Sequence, residues 1–130
     1  MFIRSQLVVM LTLLGLFQLA HAQNNGLTRQ YSFCMDRSNG VTVKMLDCLG
    51  TEIKHQEIRL NNAYKEVIAS LSPERQEQLK SAQRAWLAYR QENCSFYADP
   101  DGGTMARVSA NECFMSTTAS RAKELETLRP

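Results

Sequence analysis

The chain has 130 residues, with 15 lysines and arginines against 13 aspartates and glutamates, for a formal net charge of +2. Near-neutral charge, with no basic cluster interleaved with aromatic residues, removes the electrostatic case for nucleic acid or an anionic membrane surface as partner. The length fits one domain whose core is modest without reinforcement.

The first residues read as a targeting segment rather than as part of the fold. Arg4 supplies a short positive region, and Leu7 to Leu19 form an apolar run broken only by Thr12, Gly15 and Gln18. Ala20-His21-Ala22 then fits the small-x-small rule for signal-peptidase cleavage. A retained anchor needs about 20 consecutive apolar residues, and this run is shorter. A lipoprotein signal places a cysteine directly after the cleavage point, whereas the first cysteine here is Cys34. The expectation is a cleaved signal peptide over 1–22 and a periplasmic or secreted domain over 23–130, with no membrane attachment after cleavage. Cleavage removes Arg4 and takes the net charge from +2 to +1.

Four helices follow in chain order, which predicts a small all-α bundle. The first spans about Arg29 to Asp36, capped by Thr28 and stopped by Ser38-Asn39-Gly40. The second runs from near Thr42 to Leu71. Its apolar stripe is Met45, Leu49, Ile53, Leu60, Tyr64, Val67 and Leu71, with a polar gap at Gln56-Glu57. Gly50 inside it suggests a bend where the first helix packs. Ser72-Pro73-Glu74 opens the third helix: serine caps, proline takes the first position, and glutamate suits the dipole end. That helix reaches about Tyr97, and Asp99-Pro100-Asp101-Gly102-Gly103 forms a turn. Thr104 is the expected cap of a fourth helix ending near Leu128, with the stripe Met105, Val108, Phe114, Thr118, Arg121 and Leu125. Helices two, three and four should pack as antiparallel neighbours through short turns.

Four cysteines, Cys34, Cys48, Cys94 and Cys113, all lie after residue 22. In an oxidising compartment an even count reads as two disulfides. Cys34–Cys48 and Cys94–Cys113 are favoured, because each pair is centred on an interhelical turn. Cys48–Cys94 is also centred on one, near Leu71, and stays open as a rival. No C-x-x-C is present and His55 is the only histidine after residue 22, so the spacing does not suit a metal site or a redox pair.

Trp86, Arg90 and Cys94 recur at four-residue steps and so share one face of the third helix, with Gln83 one turn earlier. These residues, the glycine pair Gly102-Gly103, Leu60-Asn61-x-x-Tyr64 upstream and Thr118-x-x-Arg121-x-x-x-Leu125 downstream carry a resemblance. The chain resembles the bacterial lysozyme-inhibitor LprI-like domain family, small secreted helical proteins, over nearly all of residues 23–130. The resemblance implies that Leu60, Asn61, Tyr64, Gln83, Trp86, Arg90, Thr118, Arg121 and Leu125 determine the fold. It further implies binding and inhibition of lysozyme by steric blockade, with no chemistry of the protein's own. A cell-envelope structural or interaction module serving a bacterial protein is the alternative.

The residues themselves separate two kinds of position. Asn61, Arg90, Thr118 and Arg121 fall on or beside core stripes, where Glu57 or Glu92 offers a counter-charge. They read as a partly buried polar network, with an anion or sugar pocket as the rival reading. Trp86 and Tyr64 suit core anchoring better than a sugar-stacking surface, and Gln83 is placed to hydrogen-bond to a neighbouring helix. The turn Asp99 to Thr104 is the better recognition element: Asp99 and Asp101 can attract a cationic partner, and Gly102-Gly103 offer backbone N–H groups or simply positive φ. No nucleophile or orienting acid accompanies His55, and no phosphate-cradling loop or H-E-x-x-H occurs. No catalytic residue and no cofactor is expected.

Overall fold

The computed structural model describes residues 26–130, so the signal-peptide reading of 1–22 and the start at Gln23 lie outside the described residues. Four helices make up the domain: α1 (Arg29–Ser38), α2 (Thr42–Ser70), α3 (Pro73–Phe96) and α4 (Gly103–Thr127). The start of α1 follows from Thr28, whose hydroxyl accepts the N–H of Tyr31. Its stop is a left-handed pair, Asn39 at φ 49° and Gly40 at φ 73°, which reverses the chain into α2 within three residues. Pro73 opens α3, as expected, although Ser72 makes no side-chain cap. Thr104 does not cap α4 either. That helix begins one residue earlier, behind Gly102, and Thr104 lies beside Thr42 with their hydroxyl oxygens 3.5 Å apart.

Successive helices are antiparallel. Cys34 meets Cys48 between α1 and α2, Glu57 meets Arg90 between α2 and α3, and Cys94 meets Cys113 between α3 and α4. The main packing seam, however, joins α2 to α4, which run parallel: Thr42 lies by Thr104, and Arg59 pairs with Glu126 further along both. Two core clusters line the seam. Leu49, Val108 and Met115 fill the half nearer the α1–α2 and α3–α4 turns, with Leu27, Tyr31, Met45, Leu46 and Ile53 around them. Leu60, Ala63, Ala122 and Leu125 fill the other half, flanked by Tyr64, Leu79 and Trp86. Alanines at 119 and 122, both fully buried, let the backbones of α2 and α4 approach closely.

The stripe read for α4 therefore needs correction. Val108, Thr118 and Leu125 are buried as expected, but Met105 is exposed and Phe114 and Arg121 only half-buried. Ala106, Met115, Ala119 and Ala122 take the inner face instead. Gly50 is likewise not a packing requirement, since a Cβ there would meet open space. Helix α2 passes through it without a break.

The polar gap in α2 has a specific occupant. Glu52 and Gln56 are buried and receive the segment before α1. The Thr28 N–H donates to Glu52 Oε1 at 3.0 Å and the Thr28 hydroxyl to Oε2 at 2.5 Å. Gln56 Nε2 donates to the same carboxylate at 2.7 Å and to the Gly26 carbonyl at 2.9 Å. Arg59 continues the chain of bonds, donating to Gln56 Oε1 at 3.0 Å and, through two nitrogens, to both oxygens of Glu126 at 2.7 and 2.6 Å. A buried carboxylate is tolerated here because each of its oxygens is hydrogen-bonded.

The Arg59–Glu126 pair makes a prediction about acid. The hydrogen bonds from Arg59 hold the Glu126 carboxyl below its usual range, against a smaller opposing push from burial. A carboxyl that binds its proton more weakly in the folded chain stabilises the fold above its unfolded pKa, near ~4.3. That contribution is lost as pH falls through the lower folded value. Melting temperatures of wild type and Glu126→Gln, taken from about pH 6 down to about pH 3, should converge in acid. A constant gap across that range would remove this pair from the acid response.

Candidate functional site

The motif residues on α2, α3 and α4 come together in one interhelical layer. The Arg90 guanidinium lies over the Phe114 ring at 3.9 Å and the Trp86 ring at 4.8 Å from their centroids. Its Nη1 donates to Glu57 and, at 2.7 Å, to Thr118 Oγ1. The Thr118 hydroxyl in turn donates to the Phe114 carbonyl at 2.7 Å, so its hydrogen and a lone pair are both used. Arg90 Nε is buried without a hydrogen-bond partner, and the ring contacts are what the cation has instead. Arg121 stands 6.0 Å from the Trp86 ring centroid, gives Nε to Gln83 Oε1 at 3.1 Å, and pairs with Glu124.

Leu60 and Leu125 are core, and Tyr64 and Trp86 pack against it. Of the expected counter-charges Glu57 is the partner of Arg90, while Glu92 is exposed. Asn61 is the outlier: it is exposed on α2.

The turn between α3 and α4 has a different character. Asp99, Asp101, Gly102 and Gly103 are all exposed. Asp99 organises the turn, its Oδ1 accepting the Asp101 N–H at 2.9 Å and its carbonyl the Gly102 N–H at 3.0 Å. The two glycines are needed for separate reasons. Gly103 has φ 64°, in the left-handed region, whereas Gly102 does not; a Cβ on Gly102 would lie 2.9 Å from the Ala106 Cβ. The Cys94–Cys113 bridge, Cα atoms 5.4 Å apart, ties the two helices behind the turn.

Beside the turn lies an apolar cluster not anticipated from sequence. Phe96 is 82% exposed, and Tyr97 and Met105 are about half exposed. The Phe96 and Tyr97 rings meet edge to face at 5.9 Å. With Asp99, Pro100 and Gly102 they border a shallow groove of about 720 Å³. Two adjacent aromatics just before the Asp99–Gly103 turn were the signal available in the sequence, although their exposure was not. An exposed apolar group with a carboxylate at its rim is the composition of a protein-docking surface. The α1–α2 turn lies at the same end, joined through Thr42 and Thr104, and is braced by Cys34–Cys48 with Cα atoms 5.7 Å apart.

Elsewhere, His55 is exposed and borders a small pocket of about 160 Å³ with Tyr31 and Glu52. Among the described residues no group of three or more histidines, cysteines, aspartates or glutamates is placed to hold a metal ion. No described helix is long and apolar enough to cross a membrane.

These features define a class: a disulfide-braced helical scaffold with an exposed, carboxylate-bearing turn at one end. The profile of a family described as Lysozyme inhibitor LprI matches residues 34–125, which is most of the chain. The protein belongs to the LprI lysozyme-inhibitor family. No curated protein and no solved structure matches it.

Proposed function

We propose that the protein is an exported, periplasmic or secreted binding protein that inhibits lysozyme by steric blockade. Residues 1–22 act as its cleaved signal peptide and 23–130 as the folded domain. Membership of the LprI family carries the reading. Two disulfides support an oxidising compartment. The contact surface is the end of the bundle formed by Asp99, Asp101, Gly102 and Gly103 with Phe96, Tyr97 and Met105. An exposed, disulfide-braced end of this kind, with apolar rings beside carboxylates, suits docking over the mouth of a cleft. The motif residues from Leu60 to Leu125 serve as scaffold, and no catalytic group takes part.

A lysozyme assay at low and moderate salt tests this. Wild type should inhibit at micromolar concentration, and the double change Asp99→Asn and Asp101→Asn should weaken inhibition while moving the melting temperature little. Rim charges mainly set association rate and salt dependence, and surface changes usually stay within about 0.5 kcal/mol. Equal inhibition by both proteins would argue against the two aspartates.

One observation favours a second reading. At +1 after cleavage, the molecule as a whole does not steer towards a cationic enzyme. An envelope module with a bacterial protein partner needs no such steering. Absence of inhibition, with a partner recovered by pull-down from periplasmic extract, would support it.

A further inference from the structure

The groove beside the turn does not end there. Tyr97 and Ser109 border it and also a second groove of about 630 Å³, which runs along α4 towards α1 past Asn93, Glu112 and Tyr31. Among the residues bordering the two grooves the charged ones are Asp99 and Glu112, and no lysine or arginine is present. Neither carboxylate makes an ion pair among the described residues. Elsewhere acids and bases are interspersed, as in Arg59–Glu126, Arg121–Glu124 and Arg129–Glu66. A chain that is close to neutral overall thus has two adjoining grooves that carry only acidic charge, bordered by the rings of Tyr31, Phe96 and Tyr97.

We infer that the second groove receives a basic side chain, a lysine or arginine projecting from a protein partner, held by Glu112 between Tyr31 and Tyr97. A carboxylate beside aromatic rings is the composition that attracts a cation twice, by charge and by the ring quadrupole. The state of Tyr31 agrees: burial first, then the charges of Glu112 and Glu52, push its phenol above the usual range, so negative potential reaches this ring. The inference deepens the binding reading above and rests on it. It also answers the steering objection, since local charge acts within roughly 8 Å whatever the sign of the whole molecule.

The test separates the groove from the identity of the partner. An arginine hexapeptide is titrated into the oxidised protein at low salt, beside a parallel lysozyme assay. Glu112→Gln should weaken peptide binding about fivefold, while Asp47→Asn, an exposed carboxylate outside both grooves, should not. Tyr31→Phe, which keeps the ring and removes the hydroxyl, should bind as wild type. Peptide binding that ignores Glu112→Gln overturns the inference. So does tight binding of a neutral N-acetylglucosamine oligomer that is lost in Tyr31→Phe, because that pattern marks a sugar site. Glu112-dependent peptide binding without lysozyme inhibition keeps the groove and removes lysozyme as partner. Inhibition that survives Glu112→Gln does the reverse.

Discussion

Replacing Arg90 with alanine should lower the stability of the fold by about 3 to 5 kcal/mol. The guanidinium lies against two rings and is the donor to both Glu57 and Thr118, so its removal opens a cavity and strips three helices of a shared contact. The Glu57 side chain is 32% exposed and can rehydrate, so most of the loss comes from packing rather than from a stranded charge. Arg90→Met, which keeps an unbranched apolar side chain directed at the rings of Trp86 and Phe114, should therefore recover at least half of it. Urea unfolding of both variants measures the difference. Equal losses would show that the charge, not the stem, is what the layer requires.

Removing the Cys94–Cys113 bridge by serine at both positions should lower stability by about 3 kcal/mol through the entropy of the unfolded chain. For a domain of this size that corresponds to a melting temperature lower by roughly 10 to 20 °C. The bridge lies behind the Asp99–Gly103 turn, so partner binding should weaken as well if that turn is the contact, as proposed. The matching change at Cys34 and Cys48 opens a somewhat shorter loop, at separation 14 against 19. It should cost similar stability but leave the Asp99–Gly103 turn braced. Thermal melts and inhibition assays on the two double variants distinguish the effects. Equal loss of binding in both would show that the bridge at the turn has no special part in recognition.

Much of this architecture was legible because its signals are local. Thr28, Asn39-Gly40 and Pro73 act through the backbone within a few residues, and the helix boundaries follow from them. The short spacing of each cysteine pair around a turn made the favoured disulfide pairing readable too. What was not legible depended on which helices meet. The stripe on α4 was placed around Met105 and Phe114 because large apolar residues mark a core, yet the inner face uses Ala119 and Ala122. Those small residues become informative only once α2 is known to lie against them. Gln56 read as a gap for the same reason, since its partners at Thr28 and Gly26 are brought in from outside the helix. Asn61 lies one position off the apolar stripe, beside the buried Leu60, and is exposed. At the candidate site, Asp99 and Asp101 were found from turn chemistry. Phe96, Tyr97 and Met105 were missed because an exposed aromatic looks like a buried one in sequence.

The parallel seam between α2 and α4 has a consequence for how the molecule assembles. Its contacts join residues 62 and 67 apart, such as Thr42 with Thr104 and Arg59 with Glu126. A loop containing all of α3 must close before the core is complete, which slows folding relative to a bundle whose helices meet only their chain neighbours. Each bridge, by contrast, joins a cysteine to the next one along the chain. A chain that emerges N-terminus first presents Cys34 and Cys48 together before Cys94 appears, so oxidation in order of emergence yields the native pairs. The seam can then form last, between two hairpins already closed.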